Sequence, residues 1–247
     1  MKIISYNIAC LPYVFNTMGA INLRINNIIN LLLKLNPDII LLQEVFSIYA
    51  RKTITKALEK NNYYVILCPH ANILLNGGLL IASKYKIINN NYYTYKNCFG
   101  EDLFAYKGIL HCQIYYKNEL INIFNTHLNN KNPKFKLYSS DIYTLQKKQV
   151  HEYIDFVNKY NNNKCILGGD FNIKYNSKLY RILIKKLKKN HKIFRNKKNI
   201  ITDNSENIQI DYIFYCYKNQ NDFKKFNTYY IKNTSYSDHN ILITQLS

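Results

Sequence analysis

Ser237-Asp238-His239-Asn240, followed at once by Ile241-Leu242-Ile243-Thr244, is the stretch on which the reading of this chain turns. An acidic residue beside a histidine at the edge of an apolar strand is chemically useful only with partners. The chain supplies them in order: Ser5-Tyr6-Asn7, Gln43-Glu44-Val45-Phe46, Asn125-Thr126-His127-Leu128, Gly168-Gly169-Asp170-Phe171-Asn172, and Asp211-Tyr212 before Ile213-Phe214. Each polar cluster follows or opens an apolar run, so each belongs where a buried strand meets solvent. Two histidines, several carboxylates and two asparagines at such edges suit metal-assisted attack of water on a phosphate ester.

The intervening segments alternate between helix and strand signals. Residues 2–6 read as a strand, and Ile21, Ile25, Ile28, Ile29, Leu32 and Leu33 share one helical face that ends at Asn36-Pro37-Asp38. Ile39-Ile40-Leu41-Leu42 reads as a strand buried on both faces that delivers Gln43-Glu44 to its end. Helices are expected near 47–60, 140–160 and 178–189, and strands near 63–67, 78–83, 165–167, 209–216 and 241–246. Residues 107–116 and 120–126 form a hairpin pair with Lys117-Asn118-Glu119 as its turn. Asn89-Asn90-Asn91 and Asn161-Asn162-Asn163 read as polar loop tips, and the loops around Pro12 and Pro133 as ordinary turns. Hairpins among alternating elements predict an α/β chain with mixed sheets flanked by helices. The motifs run from one end of the chain to the other, which implies a single domain over residues 1–247.

Composition bounds the partners. The 247 residues are 47% hydrophobic, with 24 Tyr and 12 Phe, ample for a packed core. Net charge is 34 − 15 = +19, which favours anionic partners, although Lys, Asn, Ile and Tyr dominate throughout and a compositional bias is the alternative source of the surplus. Cys10, Cys68, Cys98, Cys112, Cys165 and Cys216 show no Cys-x-x-Cys pair, so buried free thiols are expected rather than a zinc site or a disulfide framework. The first residues enter a strand directly and no apolar stretch is long enough to span a bilayer, so a monomer that is cytoplasmic, free or peripheral at a membrane, is expected. His70, His111, His151 and His191 lack carboxylate neighbours in sequence and read as surface or packing residues.

Taken together and in order, the motifs resemble the endonuclease/exonuclease/phosphatase superfamily, whose members share a four-layer sandwich of two mixed β-sheets flanked by helices. Gln43-Glu44-Val45-Phe46, Asn125-Thr126-His127-Leu128 and Tyr236-Ser237-Asp238-His239 look most like the neutral sphingomyelinase branch. Asp102, followed five residues later by Lys107-Gly108, is similar to an Asp/Lys-Gly element of that branch. The resemblance implies that Glu44 binds Mg²⁺, one ion or two, with the side-chain oxygen of Asn7 nearby and Asp238 supporting the metal. His239 would be the general base and Asp211 its orienting partner. Asp170 and Asn172, two apart on an extended segment, would position water and phosphate. His127, as imidazolium or neutral donor, would stabilise the transition state, with Asn125 holding its surroundings on the substrate side and Lys107 either a phosphate contact or a structural partner of Asp102.

Two segments bear on the substrate. Residues 178–199 hold ten Lys or Arg and no acid, above an apolar stripe of Leu179, Ile182, Leu183 and Leu187. Residues 222–231 interleave Phe223, Phe226, Tyr229 and Tyr230 with lysines, and read as a membrane contact, a base-stacking surface or a packed strand. The chain has no Trp, and so lacks the Trp-Cys-Asp-Arg element of inositol-polyphosphate 5-phosphatases. The leading expectation is a Mg²⁺-dependent phosphodiesterase that releases a phospholipid headgroup, with a membrane surface as partner. Its alternative is a Mg²⁺-dependent nuclease acting on DNA or RNA, and a catalytically silent scaffold comes third.

Overall fold

Strand β1 (Lys2–Cys10) leads through helix α1 (Ile21–Leu35) into a parallel strand, β2 (Ile39–Val45), which feeds helix α2 (Ile48–Lys60). The computed structural model describes residues 1–11, 21–69, 76–98, 105–130, 139–160, 164–196, 200–218, 223, 225–232 and 235–247. Asp102, His70, Asn161-Asn162-Asn163, Asp222 and the Pro12 and Pro133 loops lie outside these residues. Strands β3 (Tyr64–Leu67) and β4 (Leu80–Ser83), then β11 (Phe226–Ile231) and β12 (Ile241–Leu246), complete one sheet in the order β11-β12-β1-β2-β4-β3.

The second sheet repeats the scheme. The hairpin β6 (Gly108–Tyr116) and β7 (Glu119–His127) leads through α3 (Ser139–Lys159) to β8 (Lys164–Asp170), parallel to β7. Helix α4 (Lys178–Asn190) follows, and β5 (Ile87–Thr94), β9 (Lys192–Phe194) and β10 (Asp211–Tyr217) give the order β5-β6-β7-β8-β10-β9. The two mixed sheets and four helices are the expected sandwich.

Three apolar clusters hold the layers together. Ile3, Leu41, Ile81, Leu110, Ile123, Ile166 and Ile213 pack between the sheets. Ile4, Ile8, Ile40 and Leu42 turn the other way onto Ile25, Ile28 and Leu32 of α1 and Ile54 and Leu58 of α2. Phe124, Leu167 and Phe214 pack against Val150 and Tyr153 of α3 and Leu179 and Leu183 of α4. All six cysteines are free and all but Cys98 are buried.

Two sequence expectations need correction, and a third segment is settled among its alternatives. Asn89, Asn90 and Asn91 are inside edge strand β5, not at a loop tip, because the ladder to β6 satisfies a backbone that Asn alone would not extend. The hairpin turn is two residues, Lys117 (φ 50°) and Asn118 (φ 63°), with Glu119 already in β7. The 222–231 segment contains Phe223 buried against the rings of Tyr116 and Tyr215, then β11 as a sheet edge. Only Tyr229 and Tyr230 expose a large ring there. No helix among the described residues is long and apolar enough to cross a membrane.

Candidate active site

The period-two alternation that turns Ile3, Leu41, Ile123, Ile166 and Ile213 into the space between the sheets gives the same parity to Ser5 and Asn7, Gln43, Asn125 and His127, Asp170, and Asp211. The C-terminal ends of β1, β2, β7 and β8 and the N-terminal ends of β10 and β12 meet at one rim of the sandwich. Polar groups therefore accumulate at that rim, above an apolar floor.

The lowest polar layer is a cross-sheet fastening. Asn125 Nδ2 donates to Leu42 O at 2.8 Å and Leu80 O at 2.9 Å, and its Oδ1 accepts from Gln43 Nε2 at 2.7 Å. Gln43 also reaches Ser5 Oγ at 3.3 Å. Asn125 is wholly buried, and its amide holds β7 of one sheet against β2 and β4 of the other.

One layer up, Asn7 Nδ2 donates to Glu44 Oε1 at 3.0 Å and to Asp170 Oδ2 at 3.1 Å. Asn7 Oδ1 accepts from the Ala9 amide at 3.0 Å, which fixes which end of the side chain faces the carboxylates. In this orientation Nδ2 rather than Oδ1 of Asn7 faces the two carboxylates. Glu44 has the parity of the helix-facing side, yet its φ of 56° turns the backbone out of the ladder where the β1–β2 register breaks between Asn7 and Cys10. Its side chain keeps one-fifth of its surface exposed. Burial raises its carboxyl above the usual range, Asp238 adds to that, and the Asn7 hydrogen bond opposes it.

His127 Nε2 lies 3.0 Å from Lys107 Nζ, 3.5 Å from Asp170 Oδ2 and 4.0 Å from Glu44 Oε1. Lys107, itself buried, also donates to Leu128 O at 2.9 Å. Burial, then the Lys107 and His239 charges, hold the His127 imidazole well below its ordinary pKa. Of the two expected forms the geometry takes the neutral ring, with Nε2 accepting from Lys107. The lysine brings a positive charge to the rim beneath Glu44 and Asp170.

His239 Nδ1 is 2.9 Å from Asp211 Oδ2, and its Nε2 lies 3.8 Å from Asp170 Oδ2. Burial pulls the imidazole down, but Asp211, Asp170 and Asp238 outweigh it and leave His239 strongly basic. Burial and Asp211 in turn push the Asp170 carboxyl up to about 7. Ligand atoms of Asp170, Asp211 and His239 lie within 4.8 Å of one another. An ion among them would compete with the 2.9 Å hydrogen bond, so the trio reads better as an acid–base set. Asp238 is exposed and in electrostatic reach of Glu44 and His239. Asn172 does not continue an extended segment: φ is 50°, its amide N–H donates to Asp170 Oδ1 at 2.8 Å, and its Nδ2 donates to Leu128 O at 2.9 Å. It locks Asp170 rather than standing beside it.

The endonuclease/exonuclease/phosphatase family pattern matches residues 4–239, which span every one of these groups. The chain belongs to that family. Among its relatives, a sphingomyelinase of Dictyostelium discoideum is 27% identical over 169 residues, covering 55% of this chain and 37% of that protein. The chain thus corresponds to little more than a third of that relative's length. The fold is shared with Staphylococcus aureus beta toxin (TM-score 0.82, 19% identity, 99% of both chains), another structure of which carries bound magnesium ions. It is shared too with D. rerio TDP2, solved with a single-strand DNA product (TM-score 0.74, 13% identity, 100% of this chain and 98% of that one).

Three residues of the site have roles that the sequence reading did not assign. Ser237 Oγ donates to Asn7 O at 2.7 Å and accepts from the His239 amide at 3.1 Å, tying β1 to the histidine loop. Arg24, buried on α1, donates to Ala9 O at 2.9 Å and Tyr236 O at 2.8 Å. A lone cation on the face shared by Ile21, Ile25 and Ile28 was its available signal. Thr202 Oγ1 accepts the Ile210 and Asp211 amides at 3.0 Å each, and nothing in its sequence neighbourhood marks it.

Proposed function

We propose that the chain is a divalent-cation-dependent phosphodiesterase of the sphingomyelinase type, which hydrolyses the bond between a phosphorylated headgroup and its lipid alcohol. The observation that carries the reaction class is the His239–Asp211 pair, with Nδ1 held at 2.9 Å and Nε2 turned toward Asp170. The substrate class rests on the relatives and on Lys107 lying behind His127.

Two carboxylates, Glu44 and Asp170, share one neutral amide donor, and both are raised by burial. Such a pair fits a hard cation with oxygen ligands and retained waters, as Mg²⁺ prefers, and Glu44 would hold it with Asp238 in the same field. When bound, the cation would offset charge on the phosphoryl oxygens and on the departing alkoxide. The remaining work belongs to the chain. The 3.8 Å between His239 Nε2 and Asp170 Oδ2 is long for a mutual hydrogen bond and lets one water touch both. His239 acts as the neutral imidazole, a form that a bound cation would favour by offsetting the charge of the neighbouring carboxylates. The water oxygen bonds to phosphorus, its proton passes to Nε2, the phosphorus–oxygen bond to the lipid alcohol breaks, and the alkoxide takes a proton from solvent. Asp211 keeps the ring oriented and offsets the imidazolium that forms. Asn7, Asn172 and Lys107 hold the carboxylates and His127 in place.

Phosphorylcholine release from sphingomyelin in detergent micelles is the test, run beside a mixed DNA and RNA pool. With Mg²⁺ the wild type is expected to turn over lipid. Addition of EDTA or Glu44→Gln is expected to abolish turnover, and His239→Ala to lower kcat by roughly 10²–10⁴-fold. Equal lipid turnover in all samples would remove the proposal. Cleavage of nucleic acid alone would keep the same residues in the same roles and make the protein a nuclease.

A further inference from the structure

Residues 171–202 hold eleven Lys or Arg and no acid, about a third of the chain's 34 cations in about an eighth of its length. A uniform compositional bias would not concentrate charge in this way. The apolar side of α4, Leu179, Leu183, Ile184 and Leu187, is buried in the core. Its outer side is left with Lys178, Arg181, Lys185, Lys188 and Lys189, all exposed.

Arg181, Lys185 and Lys188 follow one another at helical spacing and climb about 10 Å along the axis. With Asn176, Tyr180 and Arg195 they line an open groove of about 300 Å³ beside the edge strand β9. Arg195 is anchored there: Nη1 donates to Tyr180 OH at 3.2 Å, and the guanidinium carbon lies 5.9 Å from that ring's centre. Among the described residues no acidic side chain lines the groove. An arginine pre-set in this way, opposite a row of cations, is an arrangement for phosphate groups.

A bilayer is the poorer occupant. With its apolar face turned inward, α4 has nothing to insert, and what it offers outward is an open groove lined by cations. A linear polyanion can follow it. We propose that this groove binds the phosphodiester backbone of single-stranded nucleic acid, without base recognition and whichever phosphodiester the active site cleaves.

Fluorescence anisotropy of labelled dT20 and rU20, titrated with the protein in EDTA, separates binding from catalysis. Engagement of four phosphates predicts a log–log salt slope of about −2.8, or about a 50-fold weakening from 50 to 200 mM salt. The triple variant Arg181→Glu, Lys185→Glu, Lys188→Glu is expected to lose at least tenfold in affinity. The control Lys52→Glu, Lys56→Glu, Lys60→Glu, which reverses as many exposed charges on α2, is expected to lose less than threefold. Equal losses in the two triple variants would mean that net charge alone drives binding and would overturn the proposal. So would oligonucleotides that fail to bind while vesicles containing phosphatidylserine bind in a manner dependent on the α4 residues. Circular dichroism of each variant checks that the exposed substitutions leave the fold intact.

Discussion

His111 shows how one buried ring carries stability that depends on pH. Its Nε2 lies 3.0 Å from Asn122 Oδ1, and its ring centre is 3.8 Å from that of Tyr160 and 4.6 Å from that of Phe124. Burial pulls its pKa down to about 4. The unfolded chain therefore takes up a proton near pH 6.5 that the folded chain refuses until about pH 4. The contribution is intact above about 6.5 and is lost as pH falls to about 4, at about 1.4 kcal/mol per pH unit. His111→Phe keeps the aromatic stack and removes the titration. Urea unfolding at pH 7.5 and at pH 4.5 should show the wild type losing more stability than the variant, by a few kcal/mol. Matching pH dependence in the two proteins would show that the ring charges freely in the fold.

At the level of elements, Gly169 decides whether β8 can lie beside β7. Its φ of 134° suits glycine alone, and a Cβ there would sit 2.0 Å from Thr126 O. Gly169→Ala is expected to destabilise the fold by about 3 kcal/mol or more, since backbone strain adds to an unrelieved clash. Because the next residue is Asp170, activity per folded molecule should fall too, which thermal melting and turnover on one preparation would reveal. That glycine pair was legible in the sequence, as were the strands whose apolar runs lie in the sheet interiors and the inward parity of His127, Asp170 and Asp211. Strands β5 and β9 were not, because the Asn run of β5 and the three residues of β9 leave no hydrophobic period, and β11 was only one of three readings of its segment. Residue types gave the members of the site but not their hydrogen bonds. Asn7 was expected near the metal and Asn125 beside the substrate, and only the structure shows the Ala9 amide engaging the one and the Leu42 and Leu80 carbonyls the other. Glu44 violates the parity rule, and only the broken β1–β2 register shows how it reaches the rim.

Across the whole molecule, the site is an interface between sheets. Asn7, Glu44 and His239 come from or next to strands of one sheet, and Lys107, His127, Asp170 and Asp211 from the other, so any slip between sheets alters the His239–Asp211 and Asn7–Asp170 bonds together. The registry of the first sheet closes only at its last strand. β12 lies between β1 and β11, pairs Ile4 with Ile243 and Ser5 with Leu242, and its Leu246 carbonyl accepts the terminal amine of Met1 at 2.7 Å. Without β12, β1 becomes an unpaired edge, β11 has no neighbour, and Ile241, Leu242 and Ile243 leave the core beneath the helices and between the sheets. Contacts joining residues more than 240 apart repay their closure entropy only when the entire sandwich assembles. A chain ending at Ser237 should therefore show no cooperative urea transition, although α1–α4 remain encoded in it. A cooperative transition in that chain, with roughly half the wild-type dependence on denaturant, would mean that the second sheet and its helices fold alone, and that the catalytic rim is assembled by docking two independent halves.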